Sequence, residues 1–238
     1  MKIIITGSSG FIGFHLSRKL LENGSKVHGI DSMNSYYDVN LKKARLKILK
    51  KYKNFSFTKT KIENQKKLNK AFSKFKPTVV VHLAAQAGVR YSIKKPRVYL
   101  DSNITGSYNI IEISKKTNVK HLVMASSSSV YGANKKIPFK EIDKTETQLS
   151  IYAATKKSNE SMAHSYSNIW KIPITMLRFF TVYGPWGRPD MALFKFTKGI
   201  LKNKKIDIYN NGKMYRDFTF IDDIISGIEA TIKKIPNT

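Results

Sequence analysis

The 238-residue sequence predicts an α/β protein, a parallel β-sheet covered by helices on both faces with a smaller region grafted onto its C-terminal part. Two observations point there. Short apolar runs alternate with longer amphipathic stretches up to about residue 180, the pattern of strands buried on both faces and joined by crossover helices. A glycine-rich turn, Gly7-Ser8-Ser9-Gly10-Phe11-Ile12-Gly13, sits between the first apolar run and the first amphipathic stretch. The composition, 41% hydrophobic and 25% charged, supplies a sizeable core and excludes disordered and collagen-like classes. The absence of cysteine excludes disulfide scaffolds, thiolate metal sites and cysteine nucleophiles, and no metal site is expected.

The elements follow in order. Lys2–Thr6 reads as a buried strand, and Phe11–Asn23 as a helix whose stripe of Phe11, Ile12, Leu16, Leu20 and Leu21 is closed by Gly24. Lys26–Ile30 is a second strand, and Leu41–Tyr52 a lysine-rich helix. Phe55–Thr60 alternates like a strand and leads into a helix from Asn64 to Phe75. Thr78–Leu83 is the next strand. Arg97–Lys116 reads as a long helix, Val119–Ala125 as a strand, Tyr152–Ile169 as a helix and Pro173–Phe179 as a strand. Beyond Phe179 the pattern loosens around Gly184-Pro185-Trp186-Gly187-Arg188-Pro189. The chain therefore divides into a sheet domain, 1–180, and a partial substrate-binding region, 181–238, interleaved with the sheet.

Forty-three Lys and Arg against 16 Asp and Glu give a formal charge of +27. Such a balance raises the question of nucleic acid. The basic residues are spread along most of the chain, however, and no stacking platform or major-groove helix motif stands out. The densest cluster, Lys42 to Lys76, reads as solvated helix faces, so no nucleic-acid partner is expected. A basic surface also suits a polyanionic nucleotide. No apolar run approaches the ~18 residues of a membrane span, and the N-terminus reaches Gly and Ser too early for a signal-peptide core. A soluble, cytoplasmic protein is the expectation.

Three motifs carry chemistry. Glycines between a strand and a helix permit a tight turn and a close backbone approach to a pyrophosphate, which the helix N-terminus attracts. Asp31, at the end of the second strand, stands where a carboxylate binds adenosine ribose hydroxyls and repels a 2′-phosphate. Dinucleotide binding follows, with NAD favoured over NADP and a Rossmann-type doubly wound sheet around it. In Tyr152-Ala153-Ala154-Thr155-Lys156, Tyr and Lys share a helix face at i and i+4. A nearby ammonium would lower the phenol pKa and make Tyr152 a usable base, although such pairs also occur as ordinary amphipathic-helix residues. The third motif, Ser126-Ser127-Ser128-Ser129-Val130-Tyr131-Gly132, follows a strand end. Ligands of open α/β sheets bind at such ends, and a serine there can hold a reacting hydroxyl.

With these motifs in place, the sequence resembles the extended short-chain dehydrogenase/reductase superfamily. Three segments carry the likeness within it: His82-Leu83-Ala84-Ala85-Gln86-Ala87-Gly88-Val89-Arg90-Tyr91-Ser92, Arg178 through Met191, and Met214 through Asp223. These look like the UDP-glucuronate 4-epimerases. The resemblance implies a catalytic trio of Ser127, Tyr152 and Lys156. It implies an NAD site lined by Gly7, Gly10, Phe11, Ile12, Gly13, Asp31, Leu83, Ala84, Ala85, Asn103, Tyr152 and Lys156. The UDP-sugar would meet Arg90, Ser127, Ser128, Thr181, Arg188 and Arg216. A homodimer is implied, paired through Arg97–Lys116 and Tyr152–Ile169. The family usually carries Asp where Lys61 stands, and it continues beyond Thr238, so UDP-sugar binding and turnover are expected to be weaker here than NAD binding.

The serine turn discriminates among relatives. Sugar-nucleotide 4,6-dehydratases place Asp-Glu where Ser128 and Ser129 stand, and decarboxylases place Glu at Ser129. Galactose-type epimerases often carry Asn where Thr181 stands. A hydroxyl there, with Ser128 and Arg188, could hold a sugar carboxylate through charge-assisted bonds. The expected reaction is NAD-dependent 4-epimerisation of UDP-glucuronate to UDP-galacturonate through a 4-keto sugar. Another UDP-sugar epimerase or reductase, or an inactive NAD-binding fragment, are the alternatives.

Overall fold

A computed structural model describes residues 1–237; Thr238, the last residue of the 181–238 region, lies outside them. The elements run β1 (Lys2–Thr6), α1 (Phe11–Glu22), β2 (Lys26–Asp31), α2 (Val39–Leu49), β3 (Phe55–Lys59), α3 (Gln65–Phe75), β4 (Val79–His82), α4 (Val89–Lys94) and α5 (Pro96–Tyr99). A π-helical stretch, Leu100–Gly106, leads into α6 (Ser107–Lys116). Then come β5 (His121–Ala125), a 3₁₀ turn at Ser128–Tyr131, α7 (Ile151–Trp170), β6 (Ile174–Leu177), β7 (Thr181–Tyr183), α8 (Ala192–Leu201), β8 (Phe218–Phe220) and α9 (Ile221–Lys233).

The six main strands are parallel in the order β3-β2-β1-β4-β5-β6. The order reverses between β1 and β4, which opens a crevice at their carboxyl ends. Alternate strand residues feed opposite faces. Ile3, Ile5, Val79, Val81 and Val123 pack with α1 and α9, while Ile4, Ile30, Val80, Leu122 and Met124 pack with α3, α6 and α7. Ser150 caps α7, its Oγ accepting from Ala153 N at 3.1 Å. A cap of this kind contributes about 1 kcal/mol, and here it fixes the helix start two residues before Tyr152.

The C-terminal region is divided between two roles. β7 and β8 pair as a small parallel sheet. Helix α9 instead turns Ile221, Ile225, Ile228 and Ile232 into the core beside α1, a stripe at i, i+4, i+7 and i+11. The expected long helix Arg97–Lys116 is one continuous helical stretch from Pro96, widened to π geometry at Leu100–Gly106; periodicity alone does not reveal a π turn. Lys42 and Arg45, within the cluster read as solvated, are 6% and 0% exposed. Their α2 helix points these cations towards the crevice, where polar partners await them. Among the described residues, no helix is long and apolar enough to cross a membrane, and no group of three His, Asp or Glu could hold a metal ion.

Two buried histidines make stability depend on pH. Burial pushes His28 down to about 4 and His82 down to about 3. Both are neutral in the fold, whereas the unfolded chain takes up a proton below about 6.5. Their contribution is present above that pH and is lost as pH falls, by up to about 1.4 kcal/mol per pH unit for each histidine. Denaturant unfolding at several pH values should show this decline below about pH 6.5, and His28→Gln should make it shallower. A stability independent of pH across that window would contradict it.

Candidate active site

The crevice is a cavity of about 1580 Å³ at the carboxyl ends of the strands. This exceeds the ~300–1,000 Å³ of ordinary single-ligand pockets, leaving room for two extended ligands end to end. At its floor the turn between β1 and α1 packs with no space to spare. Gly7 has φ of +74°, and a Cβ there would lie 2.9 Å from the Ala84 nitrogen. A Cβ on Gly13 would lie 2.1 Å from the Gly7 oxygen. Gly10, at the N-cap of α1, carries no side chain to cap the first turn, so the helix N-terminus opens to the cavity beside Phe11 and Ile12. Asp31 ends β2 at the cavity wall. Its carboxylate accepts from Ser9 N at 3.1 Å and Met33 N at 2.8 Å. A cradle that only glycine can line, a helix N-terminus and a carboxylate at the neighbouring strand end fit a dinucleotide.

Leu83, Ala84 and Ala85 form the opposite wall. Asn103 does not line the cavity. It is fully buried in the π turn, where its Oδ1 accepts from Gln86 N at 2.7 Å and its Nδ2 donates to Gln86 O at 3.0 Å and Thr155 Oγ1 at 3.1 Å. It holds the wall from behind. Lys61, Ile62 and Glu63 line the end beyond Asp31.

Ser127, Ser128, Tyr152 and Lys156 all line the cavity. Ser127 Oγ accepts from Ser129 N at 3.2 Å, which leaves its own proton to favour the ionised Tyr152 phenol. Lys156 Nζ donates to the Ala125 carbonyl at 2.8 Å, and burial pushes its pKa down to about 8. The expected lowering of Tyr152 by Lys156 is not what the geometry gives. Burial raises the Tyr152 phenol, and the opposing influences are the Ser127 bond and the charge of Arg188.

Arg188, Thr181, Arg90 and Arg216 line the same cavity. Arg188 is held by Asp190 through Nε to Oδ1 at 3.0 Å and Nη2 to Oδ2 at 2.5 Å, and Tyr36 donates to the same carboxylate at 3.1 Å. Burial and Asp190 push Tyr36 up to about 12. Arg216 is exposed, its nearest partners the Tyr215 carbonyl and Met214 sulfur. Arg45 went unread in the sequence. From α2 it donates to Ser9 O at 3.1 Å, to the Tyr37 hydroxyl at 2.9 Å and to the carbonyls of Trp186 and Gly187. It thus ties the glycine turn to the loop that carries Arg188. Only its place in a lysine-rich helix was visible beforehand, and helical spacing does not show which cation turns inward.

This fold and cradle define a nucleotide-binding protein of the doubly wound α/β class. Residues 3–237 match the model of the NAD dependent epimerase/dehydratase family, and the chain belongs to that family. It is 59% identical over 234 residues to Protein CapI of Staphylococcus aureus, covering 98% of this chain and 70% of that protein. It is 52% identical over 228 residues to a probable UDP-glucuronate 4-epimerase of Rhizobium meliloti (strain 1021), covering 96% of this chain and 67% of the relative. A crystal structure of UDP-glucuronic acid 4-epimerase from Bacillus cereus, in complex with UDP-glucuronic acid and NAD, superposes with a TM-score of 0.93. The two are 38% identical, over 100% of this chain and 74% of that one.

Because a methyl group at Gly13 has nowhere to go, Gly13→Ala should displace the turn and weaken NAD binding by tenfold or more, on the order of 1.4 kcal/mol. Titration calorimetry of both proteins measures this, and equal affinity would show that the turn tolerates the side chain.

Proposed function

We propose that the chain is a UDP-glucuronate 4-epimerase that inverts C4 of the sugar while retaining NAD. The arrangement that carries the reading is a single cavity lined by a dinucleotide cradle, by Ser127 and Tyr152, and by Thr181, Ser128 and Arg188. The names of the Rhizobium and Bacillus relatives support it. So does the turn at Ser127–Ser129, which bears no carboxyl group to protonate a leaving hydroxyl. The division at 180/181 is functional in this reading, with nucleotide binding before it and sugar binding in β7 and its loop after it.

The steps follow from the side chains. Ser127 aligns the sugar 4-hydroxyl against Tyr152, and Tyr152 accepts its proton. NAD, when bound, supplies a reversible hydride acceptor beside the sugar and a positive nicotinamide charge beside the phenol. Lys156, one helical turn from Tyr152, is anchored on the Ala125 carbonyl and ties α7 to the end of β5. Arg188, with Thr181 and Ser128, anchors the sugar carboxylate while the 4-keto ring turns over, and Asp190 and Tyr36 keep the guanidinium in place. Tyr152 then returns its proton to the 4-oxygen on the inverted sugar. Gly7, Gly10, Phe11, Ile12, Gly13, Leu83, Ala84 and Ala85 bind the dinucleotide, and Asp31 selects NAD by bonding ribose hydroxyls. Arg90 and Arg216 engage the UDP moiety.

Chromatography of reactions with UDP-glucuronate should show UDP-galacturonate, with faster turnover than any UDP-glucose reaction. Tyr152→Phe should lower turnover by about 100-fold or more with NAD affinity unchanged. Faster turnover of UDP-glucose would assign a galactose-type epimerase, and stoichiometric consumption of cofactor a reductase.

We also propose a homodimer. Val98, Leu100 and Tyr108 on the Pro96–Lys116 stretch, with Ile151, Ile169 and Trp170 on α7, are exposed apolar side chains, whereas Ile111 faces the core. Pairing these two helical stretches with their copies would cover them. Light scattering at micromolar concentration should give twice the chain mass, and a monomer mass would refute the assembly.

A further inference from the structure

Helix α7 meets the turn after β5 at three successive levels. Tyr152 faces Ser127 across the cavity, and the Ser127 hydroxyl favours its ionised form. One helical turn later, Lys156 donates to the Ala125 carbonyl at 2.8 Å. Another turn on, Glu160 Oε1 accepts the Ser126 hydroxyl at 2.6 Å. Residues at i, i+4 and i+8 share a helix face, so the three contacts form one ladder, and Glu160 is the rung no catalytic role explains.

Glu160 is itself fixed. Arg178, just past β6, reaches its two oxygens at 2.9 Å from Nε and 3.0 Å from Nη2. This forked geometry sets the orientation of the carboxylate as well as its position. The Nη1 of Arg178 donates to the Glu141 carbonyl at 3.1 Å, and its guanidinium lies 5.0 Å from the centre of the Tyr131 ring. On the strand side, Ser126 N donates to Leu177 O at 2.7 Å and Ser128 N donates to Phe179 O at 2.8 Å. Ser127 is therefore bracketed by backbone bonds to the β6 segment and by one side-chain tie to α7.

We propose that Glu160, oriented by Arg178, is a positioning residue for the epimerisation, holding the Ser126–Ser128 turn against α7 so that the Ser127 hydroxyl stays on Tyr152. Glu160 touches neither substrate nor cofactor in this assignment, which rests on the reading of Tyr152 as the proton acceptor. Without the tie, the turn keeps its backbone bonds but can rotate about them, and the hydroxyl leaves the phenol. The charged and titratable groups around Tyr152 are Arg188, Lys156 and the Tyr99 ring. Those around Glu160 are Arg178 and Lys157. None of them is altered by a substitution at Ser126.

The test compares the full chain with its Ser126→Ala and Glu160→Gln variants. Ser126→Ala removes the rung while leaving the Glu160–Arg178 pair intact, so it reports even where Glu160→Gln fails to fold. Turnover of UDP-glucuronate should fall roughly ten- to hundredfold, the range a small misplacement at a reacting group produces, while KM and NAD affinity stay within about twofold. Tyrosines labelled with carbon-13 at Cζ, assigned with Tyr152→Phe and titrated by NMR, give the second reading. The Tyr152 titration should move to higher pH in Ser126→Ala, since the phenolate loses a hydrogen-bond donor. A purely structural role would lower the melting temperature and leave both kcat and the Tyr152 titration unchanged, and that result overturns the proposal. The titration needs no turnover, so a chain that fails to epimerise UDP-glucuronate refutes the functional reading without deciding this one.

Discussion

The close packing of the glycine turn on the end of β4 is the contact from which the site is built. Gly7 N donates to Ile30 O at 2.7 Å, and the Gly7 carbonyl accepts from Gly10 N at 2.9 Å while lying where a Gly13 side chain would go. Ala84 N is drawn in by Thr6 Oγ1 at 3.1 Å. Three strand ends and the start of α1 are thereby brought flush at the point where strand order reverses. Only there does a helix N-terminus face a cleft next to Asp31, and every other part of the cavity is measured from that floor.

Buried polar residues extend this order outward. His82 bonds Thr6 at 2.6 Å and Ser107 at 3.0 Å, and Ser107 accepts from Asn159 at 3.2 Å. A neutral network thus runs from the glycine-turn strand to α7, four residues past Thr155 and three past Lys156. Asn103 holds Gln86 through two bonds. Arg45 is buried with carbonyls and a hydroxyl as partners, and its Nε has none among the described residues. Removing one partner from such a group leaves an uncompensated buried polar atom, which costs about 1–3 kcal/mol and more when charged. Arg45 therefore makes the glycine turn and the Trp186–Gly187 loop interdependent. His15, donating to the Pro185 carbonyl at 2.9 Å, and Phe14, packed on Trp186, reinforce the same junction.

The electrostatics of the centre are set by burial more than by net charge. The +27 of the chain resides largely on exposed lysines, where water and salt screen it. At Tyr152 desolvation raises the phenol, and a hydroxyl and a guanidinium act against it. At Lys156 burial lowers the ammonium to about 8. Burial thus favours the neutral form of both groups and moves their acidities apart.

The local sequence determined the strands, most helices and the identity of the chemical motifs. Apolar runs, helical stripes and glycines under steric compulsion are properties of near neighbours, and they located Gly7 to Gly13, Asp31, Ser127, Tyr152 and Lys156 before any fold was known. It did not determine which cations turn inward, where the helix at Leu100–Gly106 widens, or that Asn103 braces the wall from behind. Nor did it show that Lys156 spends its proton on Ala125, that Asp190 grips Arg188, or that α9 returns to cover α1. Lys156 and Ala125 stand 31 positions apart, and the α1 and α9 faces that pack together about 200. Periodicity reports only that a residue is polar or apolar, and a buried arginine and a solvated one have the same pattern. Tertiary structure decided them because the partner that makes burial tolerable comes from another segment of the chain.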